Sequence, residues 1–236
     1  MNLLAPLREA PGETALLFDV DGTLAPIAPR PELARVPDET KAELARLVGS
    51  YRLVACISGR TGSEAEGLVG VAGILYVGNH GLELDERAAE LAVQIAAFRD
   101  SVALSVEDKG FSLSYHYRGA EDEEAARAEL ERVAERARAQ GLDPRWGRKV
   151  LEIRPPLATN KGTAVKVMLA SAPVRNALYA GDDATDIDAF HGLTQAGLDH
   201  AVRLAVRSDE GPEALVAAAD LTVAGPEELS RLLATL

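Results

Sequence analysis

Two aspartates separated by one residue, Asp19 and Asp21, close the apolar run Ala15-Leu16-Leu17-Phe18 in the segment LFDVDGTL. Carboxylates this close repel one another unless something positive compensates, and a hard divalent cation with oxygen ligands is the usual compensation. A second acidic cluster, Asp182, Asp183 and Asp186 in GDDATD, follows the apolar run ALYAG and could supply the further carboxylates such a cation needs. Two more run ends carry groups suited to anions. RLVACIS ends in Ser58-Gly59-Arg60, where a hydroxyl and free backbone N–H groups precede an expected helix, an arrangement that suits phosphate oxygens. Lys161, in Asn160-Lys161-Gly162, opens another expected helix and completes an anion cradle. Cation site, carboxylates, lysine and hydroxyl together make the parts list for phosphoryl transfer, in which the protein positions groups and neutralises charge. An aspartate nucleophile passing through an aspartyl phosphate fits the same set.

Such groups act only if the chain brings them to one place. ALLFDV (15–20), RLVACIS (52–58), ILYVG (74–78), ALYAGDD (177–183) and DLTVAG (220–225) are short, continuous apolar runs ending in turn or polar residues, as strands buried on both faces read. Helix-like segments lie between them: PDETKAELARLVGS with Asp38 or Thr40 as cap candidates, NKGTAVKVMLASA, the stretch 184–191, and GPEELSRLLATL. This alternation predicts an α/β fold, a Rossmann-like open parallel sheet with helices on both faces, whose ligands bind beyond the carboxyl ends of the strands. The acidic pairs sit at such ends.

Residues 86–156 break the rhythm. They read as a helix (AAELAVQIAAFRDSV), two short strands around VEDKGFSLSYHYR, a charged helix (EDEEAARAELERVAERARAQ) and a strand (KVLEIRP). FSLSYHY alternates apolar and polar positions as half-exposed strands do. The expected organisation is a core of residues 1–85 and 157–236 with an inserted α+β unit, 86–156.

Composition bounds the partners. With 236 residues and 47% hydrophobic content the chain can bury a sizeable core. A formal charge of −12 argues against nucleic acid or an anionic membrane surface as the main partner. No run approaches the roughly 18 apolar residues of a membrane span, so a cytoplasmic protein is expected. Cys56 is the single cysteine, which excludes an intramolecular disulfide and a cysteine-based zinc site; in VACIS it reads as a small buried apolar residue.

DVDGT, ISGR, Lys161 and GDDATD, in that order, resemble the four signature motifs of the haloacid dehalogenase-like (HAD) phosphatases, and the position of the insert resembles the cap domain found between the second and third motifs. The resemblance implies that Asp19 is the nucleophile and Asp21 the general acid and base. It implies Mg²⁺ held by Asp19, the main-chain carbonyl of Asp21 and Asp182, with Asp183 or Asp186 close by. It also implies phosphate binding by Thr23, Ser58 and Lys161, to which the local pattern adds Gly59 and Arg60.

Finer features, DVDGTLAPIAPRPELARVP, GNHGLE, VEDKGFSLSYHYR, KVLEIRP and GDDATD, resemble the trehalose-6-phosphate phosphatases from about residue 18 to 190. This resemblance implies that the cap reads the distal sugar of trehalose 6-phosphate through Glu107, Lys109, Arg118, Arg148 and Glu152, with Asn79, His80 and Glu83 on the core loop facing the cap. His116, between two tyrosines, reads as structural, and Val20, where an aromatic residue is common, should pack into the core. A monomer acting on a small-molecule substrate is expected, linked in function to a trehalose-6-phosphate synthase. Alternatives are a phosphatase for another sugar phosphate, such as sucrose 6-phosphate or a mannosyl-glycerate phosphate, a phosphohexomutase, and, from another class, a catalytically silent sugar-phosphate sensor.

Overall fold

The computed structural model describes residues 2–147, 149–208 and 211–236. The chain divides into two compact units, Met1–Leu84 with Thr159–Leu236, and Asp85–Ala158.

In the larger unit, β1 (Thr14–Phe18), β2 (Leu53–Ile57), β3 (Leu75–Val77), β8 (Asn176–Gly181), β9 (His200–Val206) and β10 (Leu221–Val223) form a parallel sheet in the order β10-β9-β8-β1-β2-β3. Every residue of β1, β2 and β8 is buried, which is why these strands appear in the sequence as unbroken apolar runs. α1 (Ala5–Glu9), α2 (Asp38–Val48), α3 (Gly62–Val69), α6 (Lys161–Ala170), α7 (Ala184–Gln195), α8 (Glu213–Ala218) and α9 (Pro226–Leu233) complete the unit. Two apolar clusters result. Leu16, Phe18, Val54 and Leu178 pack with Leu44 and Leu229 on one side of the sheet, and Leu17, Ile57 and Tyr179 pack with Val165 and Phe190 on the other. Val20 is fully buried in the first cluster, as expected. Cys56 is fully buried too, and burial pushes its thiol pKa up.

The smaller unit carries α4 (Glu86–Asp100), β4 (Glu107–Asp108), β5 (Leu113–His116), α5 (Glu123–Ala139), β6 (Asp143–Gly147) and β7 (Val150–Arg154), with an antiparallel sheet in the order β4-β5-β7-β6. One row across it, Leu113 and Ile153, joins Phe98, Leu130 and Val133 in an apolar cluster. The next row aligns Glu107, Ser114, Glu152 and Arg145 on the other face.

Three readings of the sequence are corrected here. β9 and β6 lie outside the expected strands. The cap of α2 is Pro37, with no side-chain hydrogen bond; Asp38 is already helical and Thr40 is buried. The alternation in FSLSYHY is one of chemistry and not of exposure, since Ser112 and Ser114 are as buried as Leu113 and Tyr115. No helix among the described residues is long and apolar enough to cross a membrane.

Candidate active site

β1 lies between β8 and β2, so the residues following these three strands share one end of the sheet. Asp19 follows β1, its N–H donating to Ala180 of β8 at 2.9 Å. Asp182 follows β8, and Ser58 follows β2, its N–H donating to Val77 at 2.9 Å. Carboxylate oxygens of Asp19, Asp182 and Asp186, all three buried, lie within 4.8 Å of one another.

Lys161 enters this cluster from the first turn of α6. Asn160 caps that helix through Thr163, which fixes where Lys161 begins. The Lys161 ammonium donates to Asp19 Oδ1 and to Asp186 Oδ1, both at 2.6 Å. Burial alone would lower its pKa, but the charges and hydrogen bonds of Asp186 and Asp19 outweigh burial and raise it, so Lys161 is a fixed cation. For Asp19, burial pushes the pKa up. Lys161 pulls the other way without offsetting burial and the charges of Asp186 and Asp182, and the carboxyl lies well above the usual range.

Three carboxyl groups face one ammonium in a buried space lined by oxygen ligands. That donor set fits a hard divalent cation such as Mg²⁺. Asp19 and Asp182 are the carboxylates that could hold it. Asp186 is already saturated: Oδ1 accepts from Lys161 and from the Tyr179 hydroxyl at 2.7 Å, and Oδ2 accepts from the N–H groups of Asp182 and Asp183 at 3.0 and 2.9 Å. Asp183, expected among the metal ligands, caps α7 through Ala184 and is not in the close cluster.

Two glycines let these groups approach. Gly22 has φ of +87°, and a Cβ there would stand 2.2 Å from the Asp182 carboxylate. A Cβ on Gly181 would stand 2.2 Å from Asp186 Cγ. Beside them Thr23 is fully buried, and its hydroxyl makes no hydrogen bond to any described residue, as suits a group reserved for an anion. Ser58 is buried and accepts from the Arg60 N–H at 3.1 Å.

Arg60 differs from its expected place on phosphate. Its guanidinium grips Asp21 at both carboxylate oxygens, 2.7 Å each, and donates to the Pro31 carbonyl at 3.0 Å. The N–H groups expected to be free ahead of α3 are also committed. Thr61 and Glu64 form a capping box, and Gly62 donates to Glu83 Oε1 at 2.8 Å. Glu83 Oε2 accepts from Gly78 at 2.8 Å, and Oε1 also accepts from the Asn79 amide at 3.3 Å. Asn79 is fully buried and, like His80, has positive φ. The main chain of these two residues braces the loop: the Asn79 N–H donates to the Arg60 carbonyl and the His80 N–H to the Ser58 carbonyl. The His80 ring lies against Gly59, where a Cβ would stand 2.7 Å from it.

In the smaller unit, Glu107 and Glu152 share one row of the sheet. Glu107 Oε2 is 2.6 Å from His116 Nε2, and its Oε1 is 4.0 Å from Lys109 Nζ. Glu152 accepts from the buried Ser112 hydroxyl at 3.1 Å. Arg118 is exposed, on the segment after β5, and its charge helps hold Glu123 below the usual carboxylate range, after the larger effects of Lys149 and Gly119. Arg148 lies outside the described residues. Sequence reasoning missed three partners. His116 shares a face with Ser114 by strand parity, which was the available signal. Tyr179 reads as core, and the Arg60–Asp21 pair joins residues 39 apart.

The chain matches the protein family described as trehalose-phosphatase over residues 17–101 and 100–223. It is 34% identical over 229 residues to a trehalose-phosphate phosphatase of Mycolicibacterium paratuberculosis, a match covering 86% of this chain and 57% of that protein. It is 35% identical over 213 residues to a Mycobacterium tuberculosis protein described as an uncharacterized glycosyl hydrolase, covering 80% of this chain and 16% of that one. Among solved structures it is similar to Aspergillus fumigatus trehalose-6-phosphate phosphatase, with 26% identity and a TM-score of 0.62 over 99% of this chain and 95% of that one. The chain thus spans little more than half of one of these curated relatives and a small part of the other.

Proposed function

The chain belongs to the trehalose-phosphatase family, and from that premise we propose that it is a magnesium-dependent phosphatase that hydrolyses trehalose 6-phosphate to trehalose and phosphate. The observation that carries this reading is the buried set at adjacent strand ends, Asp19 on Lys161, with Asp182 and Asp186 beside them.

In this reading Arg60 releases Asp21, Asp19 attacks phosphorus, the P–O bond to the sugar breaks, and the departing oxygen takes a proton from the freed Asp21 carboxyl. Asp21, now a carboxylate, removes a proton from water, whose oxygen attacks the phosphorus of the aspartyl phosphate and returns Asp19 as a carboxylate. Each proton and each bond is accounted for, and Asp21 ends as it began. Lys161 sits on Asp19 and so stands next to the transferred phosphoryl group, with Thr23 and Ser58 offering hydroxyls to its oxygens. Asp19, the Asp21 main-chain carbonyl and Asp182 would hold Mg²⁺. The ion supplies positive charge that offsets repulsion between an anionic nucleophile and an anionic substrate.

The smaller unit is assigned sugar recognition. Its Glu107, Lys109 and Glu152 present carboxylates and an ammonium from one sheet region, and such groups hold sugar hydroxyls well. Arg118 and Arg148 belong to the same proposed set. A trehalose-6-phosphate synthase as the source of the substrate, action as a monomer and a cytoplasmic location complete the reading.

The test of the chemistry is Asp19→Asn. Phosphate release with Mg²⁺ should vanish, since monoester hydrolysis is among the slowest uncatalysed reactions, with accelerations up to ~10²¹. Circular dichroism should stay that of the parent protein. Full turnover in the variant would contradict the mechanism.

A further inference from the structure

Tyr179 is fully buried on β8, in the apolar cluster beneath the site, with its ring edge-on to Phe190 at 6.1 Å between centroids. A phenylalanine would pack there as well, and a hydroxyl in such surroundings costs free energy unless it is bonded. Among the described residues the hydroxyl has one use: it donates to Asp186 Oδ1 at 2.7 Å.

That oxygen is the one Lys161 also uses, at 2.6 Å. The other oxygen of Asp186 receives the Asp182 and Asp183 N–H groups. Asp186 is therefore a crosspiece between the lysine that touches Asp19 and the chain segment that carries Asp182. With four donors on two oxygens, its plane is fixed from both ends. We propose that Tyr179 is a positioning residue for the reaction, acting through Asp186 to set both the Lys161 ammonium and the Asp182 carboxylate. The proposal rests on the phosphatase reading above for its kinetic arm and on the arrangement of these residues alone for its Mg²⁺ arm.

Removing the hydroxyl leaves Oδ1 with Lys161 as its donor. The carboxylate can then turn about its last torsion, and the slack passes to the ammonium and to the Asp182–Asp183 peptides. Groups that orient the holders of a metal typically cost about 10–100-fold in metal affinity or activity when removed.

Tyr179→Phe tests this in the full chain. Mg²⁺ binding is read by titration calorimetry and by the Mg²⁺-induced rise in thermal midpoint, and kcat and KM are read with trehalose 6-phosphate. The Mg²⁺ dissociation constant should rise and kcat should fall, each by about ten-fold, with KM near that of the parent protein. Phe190→Leu, which loosens the same packing and keeps the hydroxyl, should lower the midpoint and leave Mg²⁺ affinity unchanged. Parental Mg²⁺ affinity and kcat in Y179F would overturn the proposal, as would equal losses of Mg²⁺ affinity in both variants, since packing alone would then account for them. If the parent protein releases no phosphate the functional reading fails, and the Mg²⁺ titration still decides the role of Tyr179.

Discussion

A carboxylate with both oxygens on backbone N–H groups is a bracket, and Glu83 is one: it ties Gly62 at the start of α3 to Gly78 after β3. Hydrogen bonds to charged groups contribute about 1.5–3 kcal/mol each. Glu83→Gln keeps an acceptor at one position and places an amide donor against an N–H at the other. We expect a loss of about 1–3 kcal/mol in denaturant unfolding with KM for sugar phosphate unchanged; a raised KM at parental stability would return Glu83 to the sugar. The same logic separates what residue types reveal from what they conceal. Asp19, Asp182 and Lys161 were legible because few environments gather such groups at strand ends. The engagement of Arg60 with Asp21, and of Gly62 with Glu83, was not, because each depends on which loop returns beside which, and many polar partners satisfy the same side chain equally well.

At the scale of elements, unbroken apolar runs announced themselves as strands, in the edge strands β3 and β10 as well as in β1, β2 and β8, and strands interrupted by polar or turn residues did not. β9 carries His200 and Arg203 among its apolar residues, so no unbroken run marks it. β6 contains Pro144 and Gly147, which disfavour strand, and it is tolerated because it lies at the edge of its sheet. Arg203 is kept in β9 by Asp220, whose carboxylate accepts from its N–H at 2.8 Å, from Nε at 2.9 Å and from a terminal nitrogen at 2.6 Å. These hydrogen bonds hold Asp220 below its usual pKa. A lowered pKa in the fold means stability that is present above the ordinary carboxylate value of about 3.9 and lost as pH falls through the lower, folded value. Because both side chains are partly exposed, the pair is screened. Asp220→Asn should cost roughly 0.5–1 kcal/mol at pH 7, with the gap closing below about pH 4. A gap that persists unchanged into acid would show that the effect is packing.

Over the whole molecule, alternation of strand and helix was enough to foresee the parallel sheet, and its break at residues 86–156 marked an inserted α+β unit, whose sheet is antiparallel. In the proposed function, the details that decide substrate choice belong to that second sheet. Its apolar row anchors α4 and α5, which leaves the opposite row free to carry Glu107, Ser114, Glu152 and Arg145. Under the proposed function a strongly acidic chain binds an anionic substrate, which calls for cations in chosen places, and Lys161 at the end of the larger sheet is one of them. In the proposed function, phosphoryl chemistry belongs to the larger unit and sugar recognition to the smaller. The most direct test is phosphate release with Mg²⁺ from trehalose 6-phosphate, sucrose 6-phosphate, glucose 6-phosphate and a mannosyl-glycerate phosphate, each brought to kcat/KM. A kcat/KM for trehalose 6-phosphate well above the other three is the predicted result, and comparable release from all four, or none from any, would contradict it.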